Sequence, residues 1–137
     1  MNCVKQQYLI AEKCLTRFSN SINLYLQQDF GELKDLYRDS MIKQFALNVI
    51  VFCRFLRDYI EAIHGIPFTF VSSGQILRVA LQTNTITESE FELLSQMIKD
   101  RNLTSHTYNE KLAQTLVDHF DNYHKTLKII IDRLNIR

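Results

Sequence analysis

From Leu33 to Ile63 an apolar side chain returns every third or fourth residue, at Leu33, Leu36, Tyr37, Met41, Phe45, Val49, Phe52, Leu56, Ile60 and Ile63. That period marks an amphipathic α-helix, and a helix of this length in a chain of 137 residues must be covered by other helices. Three glycines and one proline give too few tight turns for a barrel or sandwich, and they argue equally against a disordered chain. The class implied is all-α.

The rest of the chain repeats the pattern. Val4, Tyr8, Ala11, Leu15, Phe18, Ile22 and Tyr25 predict a first helix up to Leu26, closed by Asp29-Phe30-Gly31-Glu32. The second runs to His64, where Gly65-Ile66-Pro67 stops it. Its middle, Phe45 to Phe55, is apolar on several faces, as expected of a helix covered on more than one side, with a dimer interface a further use for the surplus. After the β-prone connector Phe68-Thr69-Phe70-Val71 a short helix is expected over about Gln75 to Gln82. Thr87-Glu88-Ser89-Glu90 and Thr107-Tyr108-Asn109-Glu110 both fit the capping box and predict the starts of a fourth and a fifth helix. The architecture expected is an antiparallel up-and-down helical bundle of four long helices plus one short helix, a single domain over 1–137.

Sixteen basic and fifteen acidic residues leave a formal net charge of +1, so no global positive field exists to hold a long nucleic acid duplex. Cys3, Cys14 and Cys53 form no CxxC and no Cys/His metal spacing, which suits a reducing compartment and predicts neither a disulfide framework nor a zinc site. His119 and His124 are five residues apart on the fifth helix, not the four that place two metal ligands on one face, so they are expected at the surface or in a seam. His64 suits the C-terminal dipole of the second helix. Tyr37 and Tyr59 are expected to pack their rings, and Arg54 and Arg57 to form an ion-paired face with Asp58 and Glu61. The N-terminus lacks the basic-then-apolar order of a secretory signal and no stretch is long enough to span a membrane, so a cytoplasmic protein is expected.

Chemistry concentrates between the fourth and fifth helices, in Asp100-Arg101-Asn102-Leu103-Thr104-Ser105-His106-Thr107-Tyr108. In an unbroken helix Arg101 and His106 would stand roughly 140° apart, since each residue advances about 100°. If the fourth helix instead ends near Leu103 and Thr107 caps the fifth, a guanidinium, an imidazole before a helix N-terminus and the Tyr108 hydroxyl could face one phosphate. The alternative is a polar turn in which Arg101 complements a helix dipole and His106 and Tyr108 fill space.

The run Lys99 to Glu110 closely resembles the signature of the nucleotidyltransferase substrate-binding family of the HEPN superfamily, whose hallmark is an Arg separated by four to six residues from a His. Arg101 and His106 match it, and Tyr108 completes the Arg-x4-His-x-Tyr variant typical of HEPN toxins paired with minimal nucleotidyltransferases. Arg38 to Phe45 and Leu56 to Ile60 resemble the two ends of the family's second helix, and Arg78 matches a basic position of its short helix. The sequence departs from the family at Ala46, Ile50 and Cys53, where acidic residues and a Trp are usual, and at Ser72-Ser73-Gly74 in place of Ser-Pro-Arg. These changes are expected to bear on partner recognition and oligomer geometry more than on the Arg/His corner.

The resemblance implies a homodimeric, metal-independent endoribonuclease acting on single-stranded RNA. Arg101 would clamp the phosphate and His106 would move protons, with Asn102, Ser105 and Arg78 in supporting roles. It implies a minimal nucleotidyltransferase as partner, with Tyr108 as acceptor of AMP; Gly31, Gly65 and Gly74 are isolated and build no nucleotide-binding loop, so the transferase is expected to be another chain, and no cofactor is expected. Two other readings remain open: a noncatalytic substrate-binding adaptor of the transferase, and a dimerising scaffold that has lost activity.

Overall fold

The computed structural model describes residues 2–29, 31–69, 71–106 and 110–135; the side chains of residues 2, 105, 106 and 110 lie outside the description. Its helices are α1 (Asn2–Leu26), α2 (Glu32–His64), α3 (Ser73–Gln82), α4 (Glu88–His106) and α5 (Glu110–Arg133), with no strand among the described residues. The all-α architecture of four long helices and a short one is as the periodicity predicts. The described residues of the β-prone connector form no strand, and no other described strand is there to pair with.

Local chemistry fixes most of the ends. α2 stops where Gly65 takes the left-handed conformation at φ 67° and its amide donates to the Glu61 carbonyl, a backbone shape that glycine adopts without a Cβ penalty. α4 opens on the expected capping box: the Glu90 amide donates to Thr87 Oγ1 at 3.2 Å and the Thr87 amide to Glu90 Oε1 at 2.8 Å. α3 begins earlier than about Gln75, because Ser72 caps it. Ser72 Oγ accepts from the Gln75 amide and the Gln75 side chain accepts from the Ser72 amide. The capping box expected at Thr107–Glu110 lies outside the described residues.

Contacts between elements give the up-and-down order. Tyr8 meets Phe55 and Phe18 meets Phe45, so α1 and α2 run antiparallel. Phe18 meets Phe120, while Glu12 and Leu15 share a groove with Lys128 and Ile131, so α5 is antiparallel to α1. Asp100 meets Tyr123 and Glu90 meets Arg133, so α4 is antiparallel to α5. One buried hydrophobic cluster takes residues from all five helices. At its centre Phe45 has the rings of Phe120, Phe18 and Tyr123 at 4.5, 5.8 and 5.8 Å.

The α4/α5 register matters most for the site. At one end Arg133 donates to both Glu90 oxygens, at 2.7 and 3.0 Å, and to the Thr85 carbonyl at 3.0 Å. Burial alone would raise the Glu90 carboxyl; bonds from Arg133 and the Thr87 amide outweigh it and hold the group below its ordinary value. At the other end stands Asp100, described below.

On the α1/α5 seam the partly buried His124 ring lies 6.4 Å from the Phe18 ring. Burial pushes its imidazole below the ordinary value and Lys128 adds to this, against a smaller pull from Asp121. An imidazole depressed in the fold is protonated first in the unfolded chain. Its contribution to stability is therefore complete above about pH 6.5, the unfolded value, and is lost as pH falls from there through the lower folded value. The urea midpoint should drop between about pH 7.5 and about pH 5.5, and drop less in His124→Gln. Equal drops in both chains would show that another group titrates.

Candidate functional site

α4 carries Arg101, Asn102, Ser105 and His106, and it does not end near Leu103: it continues through His106. The polar run is expected to break the helix, but Thr104 Oγ1 donates to the Arg101 carbonyl at 2.6 Å, which satisfies the hydroxyl within the helix. Arg101 and His106 thus sit on one helix, about 140° apart around its axis and about 7.5 Å along it. The bend expected just past Leu103 is absent. Tyr108 lies outside the described residues, as do the side chains of Ser105 and His106.

Arg101 is half-buried against α2. Its Nη1 donates to Asn102 Oδ1 at 3.3 Å, and among the described residues its Nε is buried without a hydrogen-bond partner. The guanidinium lies close enough to Cys53 for its charge to act on that thiol. Burial pushes the thiol up, against weaker pulls from the Ser73 hydroxyl and Arg101. Thr104, one turn on, lines a hollow of about 340 Å3 with Asp39, Ile42, Lys43 and Ala46 of α2. Of the positions that depart from the family pattern, Ala46 thus shares a hollow with Thr104, and Cys53, with Ser73 as its hydrogen-bond partner, lies near Arg101. Ala46 and Cys53 stand on the face of α2 that meets α4, and Ser73 begins α3. Ile50 is exposed.

Asn102 is exposed and touches Arg101 as expected of a supporting residue. Arg78 stands apart. It lines an open hollow of about 380 Å3 with Ile66, Pro67, Phe68 and Val71, and no described residue of α4 borders that hollow.

The residue that sequence reasoning passed over is Asp100. The residue is buried at 4% exposure and its carboxylate takes three donors: Gln96 Nε2 to Oδ1 at 2.9 Å, the Tyr123 hydroxyl to Oδ2, and His119 Nδ1 at 3.0 Å from Oδ2. Burial, and then the bond to and charge of Asp100, push the Tyr123 phenol far up, so it remains a donor throughout the working pH range. His119 is in a seam, as expected, but with a carboxylate partner that its spacing from His124 could not reveal. The only signal available was Asp100 itself, an acidic residue continuing the apolar stripe of Leu94 and Met97.

No group of three or more His, Cys, Asp or Glu among the described residues is arranged to hold a metal ion. Among the described residues no helix is long and apolar enough to cross a membrane.

The family model for nucleotidyltransferase substrate binding protein like sequences matches residues 6–136. The chain belongs to that family. As a member of the nucleotidyltransferase substrate-binding family it shares its fold with several solved structures. A protein from Thermus thermophilus is 27% identical, with a TM-score of 0.78 over 92% of this chain and 99% of that one. A tri-AMPylated Shewanella oneidensis HEPN toxin, solved in complex with MNT antitoxin, is 24% identical, with a TM-score of 0.67 over 96% of each chain. A chain of a toxin–antitoxin structure with AMP-PNP is 19% identical, with a TM-score of 0.68 over 98% of this chain and 100% of that one. No curated protein matches the sequence significantly. The resemblance carried by Lys99 to Glu110 and the ends of α2 is thereby borne out at the level of family and fold.

Proposed function

We propose that the chain is the HEPN-type partner of a separately encoded minimal nucleotidyltransferase and acts as a metal-independent, toxin-type endoribonuclease on single-stranded RNA. The observation that carries this reading is the Arg101-x4-His106-x-Tyr108 run at the end of α4, in a chain that matches the family over 6–136. The complex named for the Shewanella toxin supports the choice of partner.

In this chemistry the ribose 2′-hydroxyl attacks the adjacent phosphorus and the bond to the 5′-oxygen breaks. One proton leaves the 2′-oxygen and one arrives on the 5′-oxygen, giving a cyclic phosphate and a free 5′-hydroxyl. An imidazole with an ordinary value near ~6.5 serves either transfer at neutral pH. A guanidinium supplies the charge that the phosphate needs as it becomes more negative.

Because Arg101 and His106 are about 140° apart in position around one helix, the reading invokes a homodimer that sets the arginine of one copy against the histidine of the other. Leu47 and Ile50 of α2 and Leu103 of α4, exposed large apolar residues on neighbouring helices, support such a contact. The near-neutral charge favours flexible single strands gripped locally. The Tyr108 hydroxyl takes AMP from ATP with release of pyrophosphate, and the added phosphate two residues from His106 screens the anion site and silences it. The protein works in the cytoplasm as a single domain over 1–137.

The borders of Arg101 favour a second reading. With Cys53 beside Arg101 and Ala46 beside Thr104, the corner suits an adaptor that binds and presents rather than cleaves. One experiment separates the two. Purified protein in excess chelator should cut single-stranded RNA to cyclic-phosphate and 5′-hydroxyl ends, and no cutting rejects the ribonuclease. After incubation with the transferase and ATP, AMP additions seen by mass spectrometry should vanish in Tyr108→Phe; additions that persist place the acceptor elsewhere.

A further inference from the structure

Among the described side chains of α4, Leu94, Met97 and Asp100 are the buried residues, and Asp100 is the last. Beyond it Asn102 and Leu103 are exposed, while Arg101 and Thr104 are half-covered by α2. The last buried position among the described side chains of α4 is thus a carboxylate where an aliphatic side chain would pack. A buried carboxylate is costly to desolvate, and for stability alone an apolar residue of similar volume does as well or better. What it provides is direction: hydrogen bonds fix distance and angle, whereas apolar contact lets a helix end slide or roll.

The donors come from two helices. Gln96 lies one turn earlier on α4, and His119 and Tyr123 lie one turn apart on α5. Among the described residues no lysine or arginine pairs with the carboxylate, so its position is set by these three donors and not by a mobile cation. Together with the Arg133–Glu90 clamp, the cluster pins α4 to α5 at two points. The second point is one residue before Arg101.

We propose that Asp100 is the positioning residue of the site: held by Gln96, His119 and Tyr123, it fixes the last turns of α4 and so sets where Arg101 and His106 stand. This rests on the reading of Arg101 and His106 as the RNA-cleaving pair, but it predicts a structural signature of its own. Asp100→Asn keeps the size of the side chain and removes the charged acceptor. Its kcat on single-stranded RNA should fall by about tenfold to about a hundredfold, the loss expected from a misplacement near ~1 Å, with KM changed by less than about threefold. Amide hydrogen exchange at residues 101–106 should accelerate about tenfold or more while the α1 and α2 amides stay as they were. The double variant with Tyr123→Phe should be no slower than Asp100→Asn alone, since both break one connection.

A kcat equal to that of the parent, a rise in KM alone, or unchanged exchange at 101–106 overturns the proposal. If the parent cleaves no RNA, the ribonuclease reading fails, and exchange at 101–106 still decides whether Asp100 anchors the helix end. Should Asp100→Asn fail to fold, Tyr123→Phe, which removes one hydroxyl and keeps the ring, takes its place in every measurement.

Discussion

His106→Ala should lower RNA cleavage by about 10²–10⁴-fold, the range that a positioned general acid or base contributes. Under the proposed function the imidazole is the group that changes protonation near neutral pH, and an alanine methyl neither accepts nor donates a proton. The loss should appear in kcat more than in KM, because the phosphate is gripped by the arginine and the histidine acts as bonds are changing. His106 closes α4, where alanine is the best helix former, so circular dichroism should report an unchanged helix content. Mixing His106→Ala with Arg101→Ala provides a further check. If each cleft takes its arginine and histidine from different copies, mixed dimers recover part of the activity that neither variant has alone. A His106→Ala protein as active as the parent would end the catalytic assignment.

Phe45→Ala should destabilise the bundle by about 3–5 kcal/mol, the cost of truncating a fully buried aromatic ring. Phe45 is wholly buried where α1, α2 and α5 meet, against the rings of Phe18, Phe120 and Tyr123. The substitution removes the transfer free energy of the ring together with tilted and stacked ring contacts worth about 0.5–1.5 kcal/mol each. The cavity left behind has rigid aromatic walls that collapse poorly. Set against a total stability of about 5–15 kcal/mol, this is a large share, and the melting temperature should fall by about 10 °C or more. A loss below about 1 kcal/mol would mean that the ring cluster is not the packing centre. Tyr123 belongs both to this cluster and to the Asp100 network, so Phe45→Ala should also loosen the end of α4.

The fold is legible in the sequence because its signals are short-range. Apolar residues three and four apart define one face of a helix wherever they fall. Gly65 after His64 ends α2, and Thr87 with Glu90 starts α4, within four residues of the atoms that they satisfy. The Ser72–Gln75 cap is equally readable, and the start of α3 follows from it. The end of α4 departs from expectation on short-range grounds too. A polar run reads as a break, yet a threonine hydroxyl can bond back to its own helix, as Thr104 does to Arg101.

The family is written in Lys99–Glu110, because its signature is a set of side chains at fixed spacing and a sequence displays spacing directly. What surrounds that corner was decided by tertiary structure alone. Asp100 meets His119 and Tyr123, which are 19 and 23 positions away, and Arg101 comes to rest beside Cys53 of another helix. No local pattern encodes which charge will be buried or what will neutralise it. Desolvation is a property of everything packed around a group, and that environment exists only once the helices have met.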